Sequence, residues 1–116
     1  MRREELYLRD IVEAADHVAR FLTGVDFPAF SESELLRSAV VQKLAVIGEA
    51  AARLPATLHG AHTEVPWSRI VAFRNILIHS YFGVDWEVVW IAATKEAPAL
   101  REQIAEIVKT EFGEPG

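Results

Sequence analysis

The apolar residues of this chain recur at helical spacing over almost its whole length. Between Glu4 and Thr23 they lie three or four positions apart, and the same rhythm returns between Glu32 and Leu54. This spacing gathers apolar side chains on one face of an α-helix, and no segment shows the alternation that is typical of a β-strand. The pattern therefore predicts an all-α protein. The residues of the first apolar face are Leu8, Ile11, Val12, Ala15, Val18, Ala19 and Leu22.

Capping signals predict where the first two helices end and begin. Gly24 stands where a left-handed residue would end the first helix. The following segment, DFPAFSESE, is predicted to be a loop. Ser31 and Glu34 have the spacing of a capping box, which predicts a second helix from about Glu32 to Leu54.

Proline and glycine divide the second half of the chain. The segment from Pro55 to Pro66 is predicted to be the longest loop, and Pro66 the first residue of a third helix that reaches about Tyr81. Asp85 is a good N-cap for a fourth helix, which Pro98 breaks or restarts before a fifth. With 116 residues, the size of one typical domain, we expect a single domain over residues 1–116. Its predicted architecture is an up-and-down bundle of four to five helices.

Composition excludes several classes of protein. The chain has no cysteine, which rules out disulfides, zinc–thiolate sites and thiol nucleophiles. It has no apolar run of the roughly 18 residues that a membrane span needs and no apolar signal segment after its charged start, so we expect a cytoplasmic protein without a membrane partner. The net charge is -5. Because nonspecific nucleic-acid binders are usually basic, any contact with RNA must be local.

The apolar segment AFRNILIHSYFG carries Arg74, Asn75, His79 and Tyr81 within eight residues. In a regular helix Asn75 and His79 share one face, and Arg74 and Tyr81 share another. Arg74 and His79 diverge by about 140°, so one copy does not converge on a small target. A second copy across a two-fold axis would bring two arginines and two histidines into one cleft. A site built from this segment therefore predicts a homodimer.

Gly48 and Glu49 interrupt the apolar face of the second predicted helix. Glycine inside a helix costs about 1 kcal/mol relative to alanine, which suggests that another backbone comes close to Gly48. Glu49 has two interpretations. It faces solvent, or it pairs with an arginine of the cleft or raises the pKa of His79.

The remaining polar and aromatic candidates favour structural roles. His59 and His62 lie in the predicted loop 55–66 without cysteine, which favours a solvated loop over a metal site. His17 occupies a surface-like position of the first helix. The tryptophans are predicted to anchor the core or an interface rather than to stack on bases: Trp67, Trp86 and Trp90.

The segment RNILIHSYFGVDWEVVW closely resembles the signature of HepT-like toxins, a branch of the HEPN superfamily with an Arg-x4-His-x-Tyr motif. Arg74, His79 and Tyr81 fill that motif, and the similarity extends from about Tyr7 to Leu100. The resemblance implies a HEPN-like homodimer whose cleft holds both copies of the motif. It also implies a metal-independent ribonuclease toxin without a cofactor. The implied partner is a nucleotidyltransferase antitoxin, which neutralises the toxin by adding AMP to Tyr81.

The motif residues suit RNA cleavage through the 2′-hydroxyl, which leaves a 2′,3′-cyclic phosphate and a 5′-hydroxyl. His79 would transfer protons and Arg74 would bind phosphate oxygens. Asn75 would orient the imidazole or contact a phosphate, and Tyr81 would contact RNA or accept AMP, whose charge and bulk would block the cleft. Two alternatives remain: a non-catalytic HEPN dimer that binds its nucleotidyltransferase partner or a nucleotide, and a purely structural bundle.

Overall fold

The chain folds into helices joined by short connections. A computed structural model describes residues 2–113, apart from the side chain of Tyr81. Within that part of the chain there is no β-strand, which confirms the all-α prediction. The elements are α1 (Arg3–Phe21), α2 (Phe27–Glu32), α3 (Glu34–Arg53), α4 (Ala56–Ala61), α5 (Trp67–His79), a 3₁₀ turn (Tyr81–Gly83), α6 (Trp86–Ile91), a π-helical turn (Ala92–Glu96) and α7 (Ala97–Phe112).

The core forms where α1 lies between α3 and α7, with α5 packed on the other side of α3. Most of the predicted apolar face of α1 is buried, with Leu8 and Val18 fully inaccessible to solvent, but Val12 is only partly buried and Ala19 is exposed. Phe30 from α2 and Ile104 from α7 complete the same core. The predicted bundle is confirmed, and its longer helical segments are α1, α3, α5 and α6–α7. No helix among the described residues is long and apolar enough to cross a membrane.

The segment predicted as a loop after α1 contains a short helix. Asp26 caps α2 by accepting a hydrogen bond from the backbone N–H of Ala29 at 3.0 Å, and the buried ring of Phe30 holds the helix on the core. Because Ser31 lies inside α2, it does not cap α3. Ser33 does so instead, accepting from the N–H of Leu36 at 3.1 Å, so the predicted capping box of Ser31 and Glu34 is wrong.

Helix ends elsewhere lie close to the predicted positions. Gly24 has the left-handed φ of 73°, although it stands two residues beyond the Leu22 cap of α1. Pro66 is the N-cap of α5 and not its first residue. Asp85 caps α6 as predicted, accepting from the N–H of Glu87 at 2.9 Å. The π-helical turn then leads into α7, so that the helix restarts just before Pro98.

The second predicted loop, residues 55–66, contains α4 and two structural histidines. His59 Nε2 lies 2.9 Å from the carbonyl oxygen of Ala51, and its ring stacks on Trp67 with centroids 4.6 Å apart. His62 Nε2 lies 2.8 Å from Oε1 of Glu111. The predicted loop is therefore wrong where α4 forms, although most of this segment is exposed as predicted. Both histidine rings join it to neighbouring helices. No group of three potential metal ligands lies together among residues 2–113 with described side chains.

The tryptophans anchor the core, as predicted. Trp67 is 6% exposed and donates a hydrogen bond from Nε1 to the carbonyl oxygen of His62 at 2.9 Å. Trp86 and Trp90 pack against Phe30, with ring centroids 6.1 and 5.3 Å away. Through these contacts α2 and α4 join the longer helices.

Candidate functional site

The site begins where α3 and α5 touch at Gly48. A Cβ atom built on Gly48 would lie 2.2 Å from Cβ and 2.6 Å from Cγ of Arg74. These distances are far below van der Waals contact, so only glycine allows α5 to pack this closely. This confirms the predicted close approach and places the stem of Arg74 directly on α3.

Two side chains hold the guanidinium of Arg74. Its Nη1 donates to Oε2 of Glu49 on α3, and its Nε donates to Oδ1 of Asn75 at 2.9 Å. The Arg74 side chain is only 16% exposed. In the described part of the chain Nη2 has no hydrogen-bond partner, and it is the nitrogen left for a further acceptor.

These contacts show which of the alternative roles predicted for Glu49 and Asn75 the structure supports. Glu49 pairs with the motif arginine, as one of its two interpretations predicted. Asn75 contacts the guanidinium of Arg74 rather than the imidazole of His79, to which no hydrogen bond from Asn75 is found among the described side chains. Both residues therefore orient Arg74.

Glu49 also binds a second arginine, which sequence analysis missed. Arg53, one turn along α3, lies with Nε and Nη2 each 3.0 Å from Oε1 of Glu49. Hydrogen bonds to Glu49 and to Tyr7 raise the pKa of the Arg53 guanidinium, which is fully charged at any physiological pH. The signal was available in the sequence, because residues four apart on a helix are neighbours.

His79 is the last residue of α5, and its side chain is exposed. It lies five positions after Arg74, a rise of about 7.5 Å along an α-helix. Arg74 turns towards α3, and among the described side chains no hydrogen bond joins it to His79. As the helical geometry predicted, one copy of the chain does not bring the two motif side chains together.

Tyr81 lies outside α5, which corrects the prediction that the third helix reaches it. Ser80 ends the helix with φ -133° and ψ 35°, and Tyr81 begins the 3₁₀ turn. The predicted stripe shared by Arg74 and Tyr81 therefore does not exist, because it required a continuous helix. The side chain of Tyr81 lies outside the described residues, so its role stays a prediction.

Several large apolar side chains of α5, the 3₁₀ turn and α6 are exposed. Ile76 and Ile78 on α5 are 51% and 53% exposed, on either side of Leu77, which is buried. Phe82 in the 3₁₀ turn is fully exposed, and Val88 and Ile91 on α6 are about half exposed. The end of α5 that carries His79 is thus flanked in the chain by exposed apolar side chains.

An all-α bundle with an Arg-x4-His motif on one helix agrees with the comparison with protein families. A family model named HepT-like, with the description "Ribonuclease HepT-like", matches residues 11–107. The match covers most of the chain and includes Arg74, Glu49 and His79. The chain belongs to the HepT-like ribonuclease family of HEPN proteins.

Relatives of similar length support this assignment. A protein of Caldanaerobacter subterraneus, provisionally named RNase TTE0752, is 35% identical over 111 residues, which cover 96% of this chain and 99% of the relative. A protein of Thermococcus cleftensis named "Probable ribonuclease HepT" is 33% identical over 108 residues, covering 93% of this chain and 98% of the relative. A comparison with solved structures found no significant match.

Proposed function

We propose that this protein is a metal-independent endoribonuclease that cleaves RNA through its 2′-hydroxyl, with Arg74 and His79 as catalytic residues. The observation that carries the proposal is the fixed guanidinium of Arg74. Glu49 and Asn75 hold two of its nitrogens and leave Nη2 without a partner. Such a preorganised donor binds a phosphate oxygen without first having to be ordered.

The proposed reaction needs no nucleophile from the protein. A histidine takes the proton of the 2′-hydroxyl, the 2′-oxygen forms a bond to phosphorus, and the bond from phosphorus to the 5′-oxygen breaks. A proton returns to the 5′-oxygen, which leaves a 2′,3′-cyclic phosphate and a 5′-hydroxyl. His79 suits the proton transfers because its side chain is exposed and histidine is the side chain that most often acts as a general acid or base. Arg74 would stabilise the charge on the phosphate oxygens.

A homodimer is part of the proposal. Arg74 and His79 diverge on one copy of α5, so a two-fold axis near this helix would place groups from both copies around one phosphate. The exposed apolar side chains beside the motif, including Ile76 and Ile78, provide a surface for such pairing. Size-exclusion chromatography with light scattering tests this: a monomer at the working concentration that still cuts RNA would contradict it.

Regulation by a nucleotidyltransferase antitoxin completes the proposed function. The support is the family membership of the chain and the position of Tyr81 two residues after His79. An AMP group on Tyr81 would add negative charge and bulk close to the phosphate site. Mass spectrometry of Tyr81 after co-expression with an adjacent nucleotidyltransferase gene tests this step, with Tyr81→Phe as the control. An unmodified tyrosine in protein that the partner has silenced would contradict it.

The first experiment is RNA cleavage in EDTA by the purified protein, beside His79→Ala. We expect cyclic phosphate ends from the wild type, and a loss of about 10²–10⁴-fold in rate in the variant, the usual contribution of a general acid–base. His17→Ala is the matched control, because His17 lies on α1 and packs on Phe21. Equal loss in both variants, or cleavage by His79→Ala at the wild-type rate, would refute the assignment.

The non-catalytic binding module remains the second candidate. The net charge of -5 favours it, since an acidic protein repels RNA outside a local site. Under this alternative the purified protein, with Tyr81 unmodified, binds its partner or a nucleotide but leaves RNA intact. The same EDTA assay distinguishes the two candidates.

A further inference from the structure

The arginines of this protein differ in how many carboxylates they contact. Arg101 contacts two, Asp16 and Glu102. Arg53 and Arg74 instead share one carboxylate, that of Glu49. In the described part of the chain the remaining arginine ion pairs are one to one. The contact between α3 and α5 therefore carries an excess of positive charge within an acidic protein, and this favours an anionic ligand there.

We infer that Arg53 is a second phosphate-binding residue for RNA, next to Arg74 and joined to it through Glu49. The inference rests on the proposed function, because it extends the RNA site from the cleaved phosphate to a neighbouring one. Arg53 is accessible enough for this role, with 58% of its side chain exposed.

The course of α5 along α3 places Arg53 relative to the motif. The start of α5 lies near Ala51, because His59 contacts both the carbonyl oxygen of Ala51 and the ring of Trp67. Seven residues later, Arg74 packs on Gly48. The two helices thus run in opposite directions, and Arg53 and His79 lie on opposite sides of Arg74. Because Arg53 and Arg74 contact the same carboxylate, a strand whose scissile phosphate contacts Arg74 would have a neighbouring phosphate near Arg53.

The contacts of Arg53 leave it able to bind a phosphate. It contacts Glu49 and Tyr7. The ion pair with Glu49 joins neighbours one turn apart on an exposed helix face, an arrangement that is weak in water. Glu49 keeps its second partner, Arg74, when Arg53 turns to an incoming phosphate. The alternative is that Arg53 only forms an ordinary surface ion pair at the end of α3.

Equilibrium binding separates these two roles without depending on catalysis. The probe is a short fluorescent oligoribonucleotide of mixed sequence whose 2′-hydroxyls are methylated, so that it cannot be cut. Its fluorescence anisotropy is titrated with the full-length chain over a series of salt concentrations. The variants are Arg53→Ala, Arg53→Lys and Arg101→Ala, the last being a matched control in which an ion-paired arginine outside the site is removed.

A phosphate contact by Arg53 has a quantitative signature. Arg53→Ala should weaken binding about tenfold and reduce the slope of log K against log salt by about 0.7, the value for one contact to a single strand. Arg53→Lys should restore the slope, because lysine keeps the charge. Arg101→Ala should match the wild type in both quantities.

Two results would overturn the inference: an Arg53→Ala variant with the affinity and salt slope of Arg101→Ala, or wild-type protein that does not bind the probe. Failure of the proposed ribonuclease activity is a different result. In that case the probe binds with the expected dependence on Arg53, but cuttable RNA stays intact. If cleavage requires His79 but Arg53→Ala binds the probe as tightly as the wild type, only the proposed role of Arg53 is refuted.

Discussion

Replacing Gly48 by alanine tests how the site is built. The new methyl group would lie 2.2 Å from Cβ and 2.6 Å from Cγ of Arg74, whereas ordinary contact begins near 3.4 Å. Neither atom is at the free end of the side chain, so no change of rotamer at the guanidinium relieves the overlap. The backbone of α5 must therefore move away from α3 by about 1 Å, and packed interiors resist such a shift.

The expected effect on stability is the difference of two terms. Alanine gains about 1 kcal/mol over glycine inside a helix, and an extra methyl group in a packed contact costs about 1–3 kcal/mol. We therefore expect Gly48→Ala to lower the free energy of unfolding by about 1 kcal/mol. Its effect on cleavage should be larger. A shift of about 1 Å in Arg74 moves the guanidinium from its place beside Glu49, and a misplacement of that size costs about 100-fold in rate.

Gly60→Ala is the matched control, because Gly60 lies inside α4 and a Cβ there would meet nothing within 4 Å. It should be more stable than the wild type by about 0.5–1 kcal/mol and cut RNA at the wild-type rate. Urea unfolding followed by circular dichroism gives the stabilities, and cleavage in EDTA gives the rates. A Gly48→Ala protein as stable and as active as Gly60→Ala would refute the close-packing argument.

Two further predictions concern the fold. Ser33→Ala should lose about 1 kcal/mol of unfolding free energy by urea titration, because it removes the N-cap of α3, whereas Ser31→Ala should change little; equal losses would contradict the observed cap. Burial and, to a smaller extent, the negative charge of Glu13 raise the pKa of Asp10 above its usual 3.8. The protonated carboxyl therefore contributes to stability below pH 3.8, and this contribution is lost as the pH rises through the raised pKa. Asp10→Asn should therefore be more stable than the wild type at neutral pH, with an advantage that disappears below pH 3.8; an advantage independent of pH would contradict this.

Local signals predicted the long helices well and missed two short ones, α2 and α4. The apolar periodicity of α1 spans several turns, and Asp85 has a single clear capping position, so both predictions were confirmed. A helix of six residues, such as α2 or α4, has too few turns to show a periodicity. Ser31, which was predicted to cap α3, and Ser33, which does so, are the same residue type. Only the packing of Phe30, which extends α2 to Glu32, decided between them.

The sequence alone determined the helical class of this protein, the motif that identifies its family and the divergence of Arg74 from His79 on one helix. These are properties of neighbouring residues, and helical geometry relates such residues directly. The tertiary structure decided which groups surround Arg74. Glu49 lies 25 positions earlier in the chain, and it reaches the guanidinium only because Gly48 lets α5 pack closely on α3. Contacts between helices depend on how side-chain volumes fit across an interface, and the spacing of residues along one helix does not contain that information.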